Sequence, residues 1–348
     1  MEREMYKTSL PSMKTAALLL TLVLSGASLT AQTAAAAGTE TIFQHLTKTE
    51  GTSITLEVDL NGFIADKRNK NYFPAVLKTD DGSSYDVEIR PRGRYRRMNA
   101  DIPPFKIRFK KNGLLAQGLD SLNEIKVALP MNKGTESNEL LVKEYLAYRM
   151  FEQITNASLR ARLVKLSLVD NKNSRSRPRT FMAIFMEDEE EAAARLGGMP
   201  VERYGVAAEQ LDTRQAALVA LFQYMIGNTD WDLEMQRNVR LIQMNGAGKI
   251  LVIPYDFDFC GLVNAPYASP ASGTGLDTVR DRILMAGNLP DESILYARQI
   301  LLQHQSDFYA LCRSEHLSRP AVNQMIRYLD DFFSRIEAKA EIPVMMRM

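Results

Sequence analysis

Two short acidic segments contain side chains that are suited to bind a metal ion. Asp230 follows a Gly-Asn-Thr turn at the end of an apolar helical pattern, and Asp256 and Asp258 follow an apolar strand-like run. Asn238 and a predicted hairpin lie between the two segments. Carboxylate and amide oxygens are suitable ligands for hard divalent cations. Because a buried carboxylate without a partner is costly, acids at a strand end need a cation or hydrogen-bond donors.

Both segments also have a simpler structural interpretation. Asp256 and Asp258 are compatible with a surface turn, although the aromatic residues around them favour a partly buried position. Asn228 and Asp230 are compatible with capping of the preceding helix end. The sequence leaves these alternatives open beside the metal site.

The order of these residues resembles the order in protein kinases, where an acid is followed by an asparagine, a hairpin and a second acid. There the first acid orients the attacking hydroxyl, and the asparagine and second acid hold Mg²⁺ against the ATP phosphates. By this resemblance Asp230 is predicted to be the catalytic acid, and Asn238, Asp256 and Asp258 are predicted to be metal ligands. The spacing from Asp230 to Asn238 exceeds that of the usual kinase loop, so the loop is enlarged or its roles are redistributed.

A strongly basic segment precedes these residues. Asp101 is its single acid, and its basic residues are Arg90, Arg92, Arg94, Arg96, Arg97, Lys106, Arg108, Lys110 and Lys111. Guanidinium groups bind phosphate oxygens in a fork, so Arg92, Arg94, Lys106 and Arg108 are predicted to bind nucleotide phosphates. Period-two spacing of the residues from Lys106 to Lys110 is also typical of a solvated strand face. Arg-rich strands with an aromatic residue can bind nucleic acid as well.

A lysine and a glutamate further along the chain match another kinase requirement. Kinases hold the α- and β-phosphates with a strand lysine that pairs with a glutamate on the next helix. Lys126 lies in a predicted strand and Glu144 in the helical pattern that follows, so this pair is predicted to contact the nucleotide. Lys106 is a competing candidate for the lysine.

Composition sets broad limits on the class of protein. The chain has 348 residues, of which 45% are hydrophobic and 24% charged, and these values are ordinary for a globular protein. Its net charge of +1 gives no global signal for nucleic acid or membrane binding. Three histidines without ligand-like spacing disfavour a zinc site. Cys260 and Cys312 are compatible with a disulfide or with two separate buried thiols.

The N-terminus has the layout of a secretory signal peptide. Lys14 precedes an apolar stretch at 16–24, and small residues follow up to position 37. The stretch is too short for a membrane anchor, which needs about 20 residues. Residues 1–37 therefore predict export to the periplasm or the exterior without a stable anchor, and export argues against nucleic acid as a partner.

The remaining pattern predicts an α+β fold. Period-two alternation predicts strands through much of residues 50–187, with one long helix at 137–154. Helical spacing dominates residues 188–348, including blocks at 278–286, 293–312 and 320–339. This order predicts one domain at 38–348 with two lobes: a β-rich N-lobe (about 50–187) with one helix and a mostly helical C-lobe (about 188–348).

With these patterns in view, the chain resembles the CotH family of secretory, spore-coat-type atypical kinases, in an exported branch. The resemblance runs from about Ile89 to Arg282. It rests on Arg-Pro-Arg-Gly-Arg at 90–94, Pro-Phe-Lys-Ile-Arg-Phe at 104–109, Lys-Glu-Tyr-Leu-Ala-Tyr at 143–148, Gly-Asn-Thr-Asp-Trp at 227–231 and Pro-Tyr-Asp-Phe-Asp at 254–258.

The resemblance implies a protein-kinase-like fold and transfer of phosphate from ATP to serine in secreted proteins. Asp230 would be the catalytic acid, Asp256 a metal ligand and Asn238 a second ligand, with ATP and Mg²⁺ or Mn²⁺ as cofactors. A protein acceptor is the implied partner. Two alternatives on the same scaffold are a pseudokinase that only binds other proteins and a transferase that moves AMP.

Overall fold

Alternating apolar and polar residues in the N-terminal half form a closed barrel of seven strands. The computed structural model describes residues 39–246 and 248–337, and the predicted signal peptide lies outside them. The strand order is β1-β2-β3-β4-β5-β7-β6, with β6 parallel to β1 and the other pairs antiparallel. The barrel strands are β1 Ser53–Val58, β2 Phe73–Thr79, β3 Ser84–Pro91, β4 Phe105–Phe109, β5 Glu124–Ala128, β6 Ala161–Asp170 and β7 Arg179–Glu187.

The inward side chains of these strands fill the barrel. Along β3, exposed and buried residues alternate, as a strand with one face in a core requires. Leu56, Ile107, Ile125 and Val127 are fully buried in this interior. Polar side chains of the same strands therefore lie on the outer face of the barrel.

Ten helices lie within the described residues, and the longer ones surround a second apolar core. The helix α5 carries buried residues into this core together with α7 to α10. The helices are α1 Ile42–Leu46, α2 Leu60–Ala65, α3 Tyr95–Asn99, α4 Lys111–Ala116, α5 Thr135–Ile154, α6 Glu189–Leu196, α7 Thr213–Ile226, α8 Asp291–Gln303, α9 Gln305–Cys312 and α10 Arg319–Glu337. Helices of the described residues are all too short or too polar to cross a membrane.

A small second sheet carries the predicted hairpin. Its three antiparallel strands are β8 Gly198–Pro200, β9 Val239–Met244 and β10 Ile250–Pro254, in the order β10-β9-β8. Val239 pairs with Pro254, so the residue before β9 lies beside the residue after β10. This register brings Asn238 next to the Asp-Phe-Asp segment.

The mixed α and β composition predicted from the sequence is confirmed, and two details of the prediction are wrong. Residues 50–187 contain α2, α3, α4 and α5 instead of one helix, because helices of five or six residues are too short to show a period. No helix forms at 278–286. There Arg282 donates to the Met225 and Tyr328 carbonyls, and these contacts hold an irregular backbone. The division into two lobes stays a prediction.

Cys260 and Cys312 are free and buried in the helical core. Burial raises the pKa of each thiol to about 12. The sequence left open a disulfide or two separate buried thiols, and the structure contains the separate thiols.

The close packing of Gly227 at the end of α7, just before Asp230, can be tested by substitution. Gly227 ends α7 with φ 65°, and Gly197 ends α6 with φ 73°. A Cβ on Gly227 would overlap the Tyr328 hydroxyl, whereas a Cβ on Gly197 would meet nothing within 4 Å. We expect Gly197→Ala to cost roughly 1–2 kcal/mol of unfolding free energy, the strain of a left-handed alanine. Gly227→Ala should cost more, and urea unfolding measures both.

The matched pair separates backbone strain from steric overlap. Adding Tyr328→Phe to Gly227→Ala removes the hydroxyl and should recover part of the lost stability. Equal losses for the two glycine variants would contradict the close packing described at Gly227.

Candidate active site

The helix α5 contributes two side chains to the site from one face. Glu144 and Tyr148 are four residues apart in sequence, so they lie one above the other on the helix. Both are buried, with 1% and 2% of their surface exposed. The Tyr148 hydroxyl accepts a hydrogen bond from the Asp256 backbone N–H at 2.8 Å. The helix thus fixes the acidic segment that follows β10.

The Asp-Phe-Asp segment is anchored by its central ring. Phe257 is fully buried and packs against Tyr148 at 4.7 Å and Phe222 at 5.8 Å between ring centroids. Asp256 has φ 64°, a left-handed conformation that aspartate tolerates better than most residues. The side chain of Asp256 is 41% exposed, whereas that of Asp258 is 7% exposed.

The hairpin places Asn238 between the two acidic segments. The Tyr255 N–H donates to the Asn238 carbonyl at 3.0 Å across the base of the hairpin. The side-chain amide of Asn238 donates to the Asp230 carboxylate at 2.9 Å and to the Asp230 carbonyl at 2.7 Å. Asp230, Asn238 and the Asp256 segment are therefore brought together, as their order predicted.

The enlarged loop between Asp230 and Asn238 is closed within itself. The backbones of Asp232 and Arg237 exchange two hydrogen bonds of 2.9 Å. Residues 233–236 therefore form a tight turn on top of this pair. The extra residues leave the contact between Asp230 and Asn238 intact.

Arg96 lies at the centre of the site and contacts three carboxylates. Its two terminal nitrogens donate to the two Glu144 oxygens at 2.8 and 2.7 Å. One of them also lies 3.1 Å from Asp256 Oδ1, and Nε lies 3.2 Å from Asp258 Oδ2. The guanidinium is 9% exposed, and the three acids offer oxygens within 4.8 Å of one another. A single buried cation thus holds the acidic cluster together.

Aromatic contacts fix the short helix that carries Arg96. Tyr95 stacks on Tyr267 at 5.5 Å and meets the edge of Phe259 at 5.4 Å. The Tyr267 hydroxyl donates to Asp258 Oδ2 at 3.2 Å. The segment after Asp258 therefore holds α3 in place from the outside of the cluster.

Burial and the charge of Arg96 shift the pKa values of these acids in opposite directions. Burial raises the pKa of Glu144 and of Asp258, and the Arg96 guanidinium opposes this increase. The three acids in turn hold the pKa of Arg96 well above its ordinary value against the effect of burial. Burial also raises the pKa of Asp230, against Arg237 and the Asn238 amide, so Asp230 is a better proton acceptor than an exposed aspartate.

A cleft of about 790 Å³ is lined by both acidic and basic residues. Its acids are Asp230, Asp232, Asp256 and Asp258. Lys70, Arg92 and Arg94 also line it, and within residues 39–246 and 248–337 their side chains form no ion pair and no hydrogen bond. These cations are available to an anion that enters the cleft.

The other predicted phosphate ligands lie outside this cleft lining. Lys106 and Lys126 are cross-strand neighbours on β4 and β5, and Asp188 Oδ2 lies 3.2 Å from both ammonium groups. Burial lowers the pKa of Lys126 to about 7. Arg108 pairs with Glu88 on the outer face of the barrel and lies over the Tyr72 ring. The expected pair of Lys126 with Glu144 is replaced by the pair of Arg96 with Glu144.

Sequence reasoning missed two central residues. Arg96 stood in the basic segment, and no local pattern distinguished it from its neighbours there. Tyr148 lies one turn after Glu144, and that helical spacing was the available signal. The spacing of basic residues at every second position did indicate a solvated strand face for Arg108 and Lys110. Both residues pair with acids on β3.

The donor set of the acidic cluster fits a divalent cation of the Mg²⁺ or Mn²⁺ type. Its ligands are hard carboxylate oxygens, which these cations prefer. Asp256 is the most exposed of the three acids toward solvent, and Asn238 lines the same cleft. Glu144 lies deepest and is bound on both oxygens by Arg96.

The buried ion pair generates a stability prediction. Arg96→Met leaves Glu144 and Asp258 buried without their cation, so we expect a loss of about 3–5 kcal/mol in unfolding free energy at pH 7. Arg108→Met removes an exposed pair with Glu88 and should cost about 1 kcal/mol or less. Urea unfolding compares the two variants. Equal losses would contradict the central role of Arg96.

Comparisons with known proteins do not assign this chain to a family. No protein-family model matches the sequence, and no curated protein matches it. Among solved structures, a crystal structure of the Rio2 kinase–ADP/Mg²⁺–phosphoaspartate complex from Chaetomium thermophilum is 10% identical. The match covers 78% of this chain and 74% of that chain with a TM-score of 0.27. A similarity of that size carries no argument about fold or activity.

Proposed function

We propose that this chain is an exported, metal-dependent atypical kinase that transfers the γ-phosphate of ATP to a hydroxyl group of a protein. The observation that carries the proposal is a single cleft whose lining includes Asp230, Asp256 and Asp258 together with Lys70, Arg92 and Arg94, cations that form no ion pair within the described residues. Phosphoryl transfer needs this combination, because the enzyme mainly positions the reactants and stabilises charge on the phosphates.

The basic residues would bind the triphosphate. Arg92 and Arg94 carry forks of N–H donors that match phosphate oxygens, and neither forms an ion pair within 4 Å with an acid among the described residues. Gly93 between them has φ 82° and open space beside its Cα, so the backbone there can come close to a phosphate. Lys70 adds a further cation from across the cleft lining.

Asp230 would orient the accepting hydroxyl and take up its proton. Its carboxylate is 32% exposed and is held by the Asn238 amide, so its position is defined while one side is accessible. Burial raises the pKa of Asp230, which makes the carboxylate a stronger base.

Asp256, Asp258 and Asn238 are the residues that would hold Mg²⁺ or Mn²⁺. The bound cation would neutralise charge on the phosphates. Asp256 is the acid with the greatest freedom to bind the cation, because its side chain is 41% exposed. Glu144 would remain the partner of Arg96.

The acceptor and the location rest on the sequence. The N-terminal pattern at 1–37 supports export to the periplasm or the exterior, and the resemblance to secretory kinases supports a serine of a protein as acceptor. Neither a membrane anchor nor a nucleic acid is part of the proposal.

Labelled nucleotide tests the reaction directly. Incubation of the mature chain with γ-labelled and α-labelled ATP, with Mg²⁺ or Mn²⁺, should transfer label to protein from the γ position only. Asp230→Asn and Asp256→Asn should each reduce this transfer by about 100-fold or more. Label from the α position would instead indicate AMP transfer, and nucleotide binding without transfer would indicate a pseudokinase.

The free arginines generate a separate binding prediction. Arg92→Ala and Arg94→Ala should each weaken binding of a non-hydrolysable ATP analogue by about tenfold, because each removes a charge-assisted hydrogen bond. Arg177→Ala is the matched control, since Arg177 is exposed in the turn between β6 and β7. Calorimetric titration measures all three. Unchanged affinity in both cleft variants would exclude the phosphate role of this segment.

A further inference from the structure

We propose that Arg96 is an internal competitor of the divalent cation, which holds the acidic cluster together until a cation and a phosphate replace its contacts. The inference deepens the proposed function and rests on it for the identity of the phosphate. It concerns the occupancy of the cluster, which can be measured without any transfer reaction.

The contacts of Arg96 divide into a firm pair and two replaceable ones. Both Glu144 oxygens are bound at 2.8 and 2.7 Å, and Glu144 is fully buried. The contacts to Asp256 and Asp258 are single and longer, at 3.1 and 3.2 Å. A bidentate pair in a buried place is stronger than a single contact at the cleft wall, so Glu144 anchors the guanidinium.

A cation that binds Asp256 and Asp258 must therefore displace Arg96 from them. The oxygens of the three acids lie within 4.8 Å of one another, so a divalent cation and the guanidinium compete for the same small space. Arg96 also lowers the negative charge of the cluster, which weakens its attraction for a cation. Metal alone should bind poorly for both reasons.

A phosphate changes this balance. When Arg96 leaves Asp256 and Asp258, one terminal N–H loses its acceptor on Asp256, and Nε loses its ion pair with Asp258. Arg96 lines the same cleft as Arg92 and Arg94, so a phosphate held there can replace both contacts. Cation and nucleotide should accordingly bind together, with Arg96 moving from carboxylates to phosphate.

The test measures Mn²⁺ binding by calorimetry without nucleotide. Arg96→Met should bind Mn²⁺ about tenfold or more tightly than the natural chain, and the ATP analogue with Mn²⁺ should bind more weakly. A residue that only supports the fold would lower both affinities when replaced. Arg96→Lys keeps the buried charge and should return Mn²⁺ affinity toward that of the natural chain.

Arg97 provides the matched control on the same helix. Its side chain donates to the Gly93, Lys67 and Arg68 carbonyls and contacts none of the three acids. Arg97→Met removes the same charge and should leave Mn²⁺ affinity within about twofold. An equal increase in this variant would mean that overall charge, not competition, causes the effect, and would overturn the proposal.

A double variant covers the case in which Arg96→Met does not fold. Arg96→Met with Glu144→Gln removes one buried acid together with the cation, so fewer buried charges lack a partner and the loss of stability should be smaller than in Arg96→Met. This double variant should bind Mn²⁺ about tenfold or more tightly than Glu144→Gln alone. Unchanged or weaker Mn²⁺ binding in both Arg96 variants would overturn the inference.

The outcomes also separate this inference from the proposed function. Tighter Mn²⁺ binding without any label transfer would support competition by Arg96 and remove the kinase proposal. Label transfer together with Mn²⁺ binding that does not depend on Arg96 would support the kinase proposal and overturn competition by Arg96.

Discussion

The site depends on one electrostatic constraint, which is the need to compensate two carboxylates in the interior. Glu144 and Asp258 are 1% and 5% exposed, and ions placed there need a partner of opposite charge. Arg96 meets that need and in doing so joins α3, α5 and the segment after β10. The cluster is therefore the contact that joins these three elements. A change in any of the three partners alters the position of the other two.

Apolar packing supplies the rigidity that the ionic contacts need. Phe257 is enclosed by Tyr148 and Phe222, so the acids on either side of it cannot shift without opening the core. The Tyr95 and Tyr267 rings hold α3 from the opposite side. Charged groups on flexible segments lose rotamer entropy when they pair, and here that loss is reduced because each partner sits on packed aromatic residues. The acidic cluster is a preorganised site for this reason.

The sequence predicted the parts of the site that depend on local geometry. Asp230, Asn238 and Asp256 are joined by one hairpin, and the register of a hairpin follows from the strands beside its turn. The contacts of Arg96 are of another kind, since Arg96 lies 48 residues from Glu144 and 160 from Asp256 along the chain. Neither the periodicity of apolar residues nor the spacing within a motif predicts contacts between residues so far apart in the sequence. The closed barrel was missed for the same reason, because the parallel contact of β1 with β6 is not local.

Strand register explains which of the basic residues are free. Arg108 lies directly opposite Glu88 on β3, and Lys106 lies within reach of Glu124 on β5, so these two basic residues have acids beside them. Arg92 and Arg94 follow the end of β3, beyond the last position at which β3 pairs with β4. The same basic segment thus contributes structural ion pairs to the outside of the barrel and unpaired cations to the cleft. Past the strand end, Arg96 is bound by the acidic cluster and Arg97 by backbone carbonyls, so Arg92 and Arg94 are the arginines of this stretch that remain for an anion in the cleft.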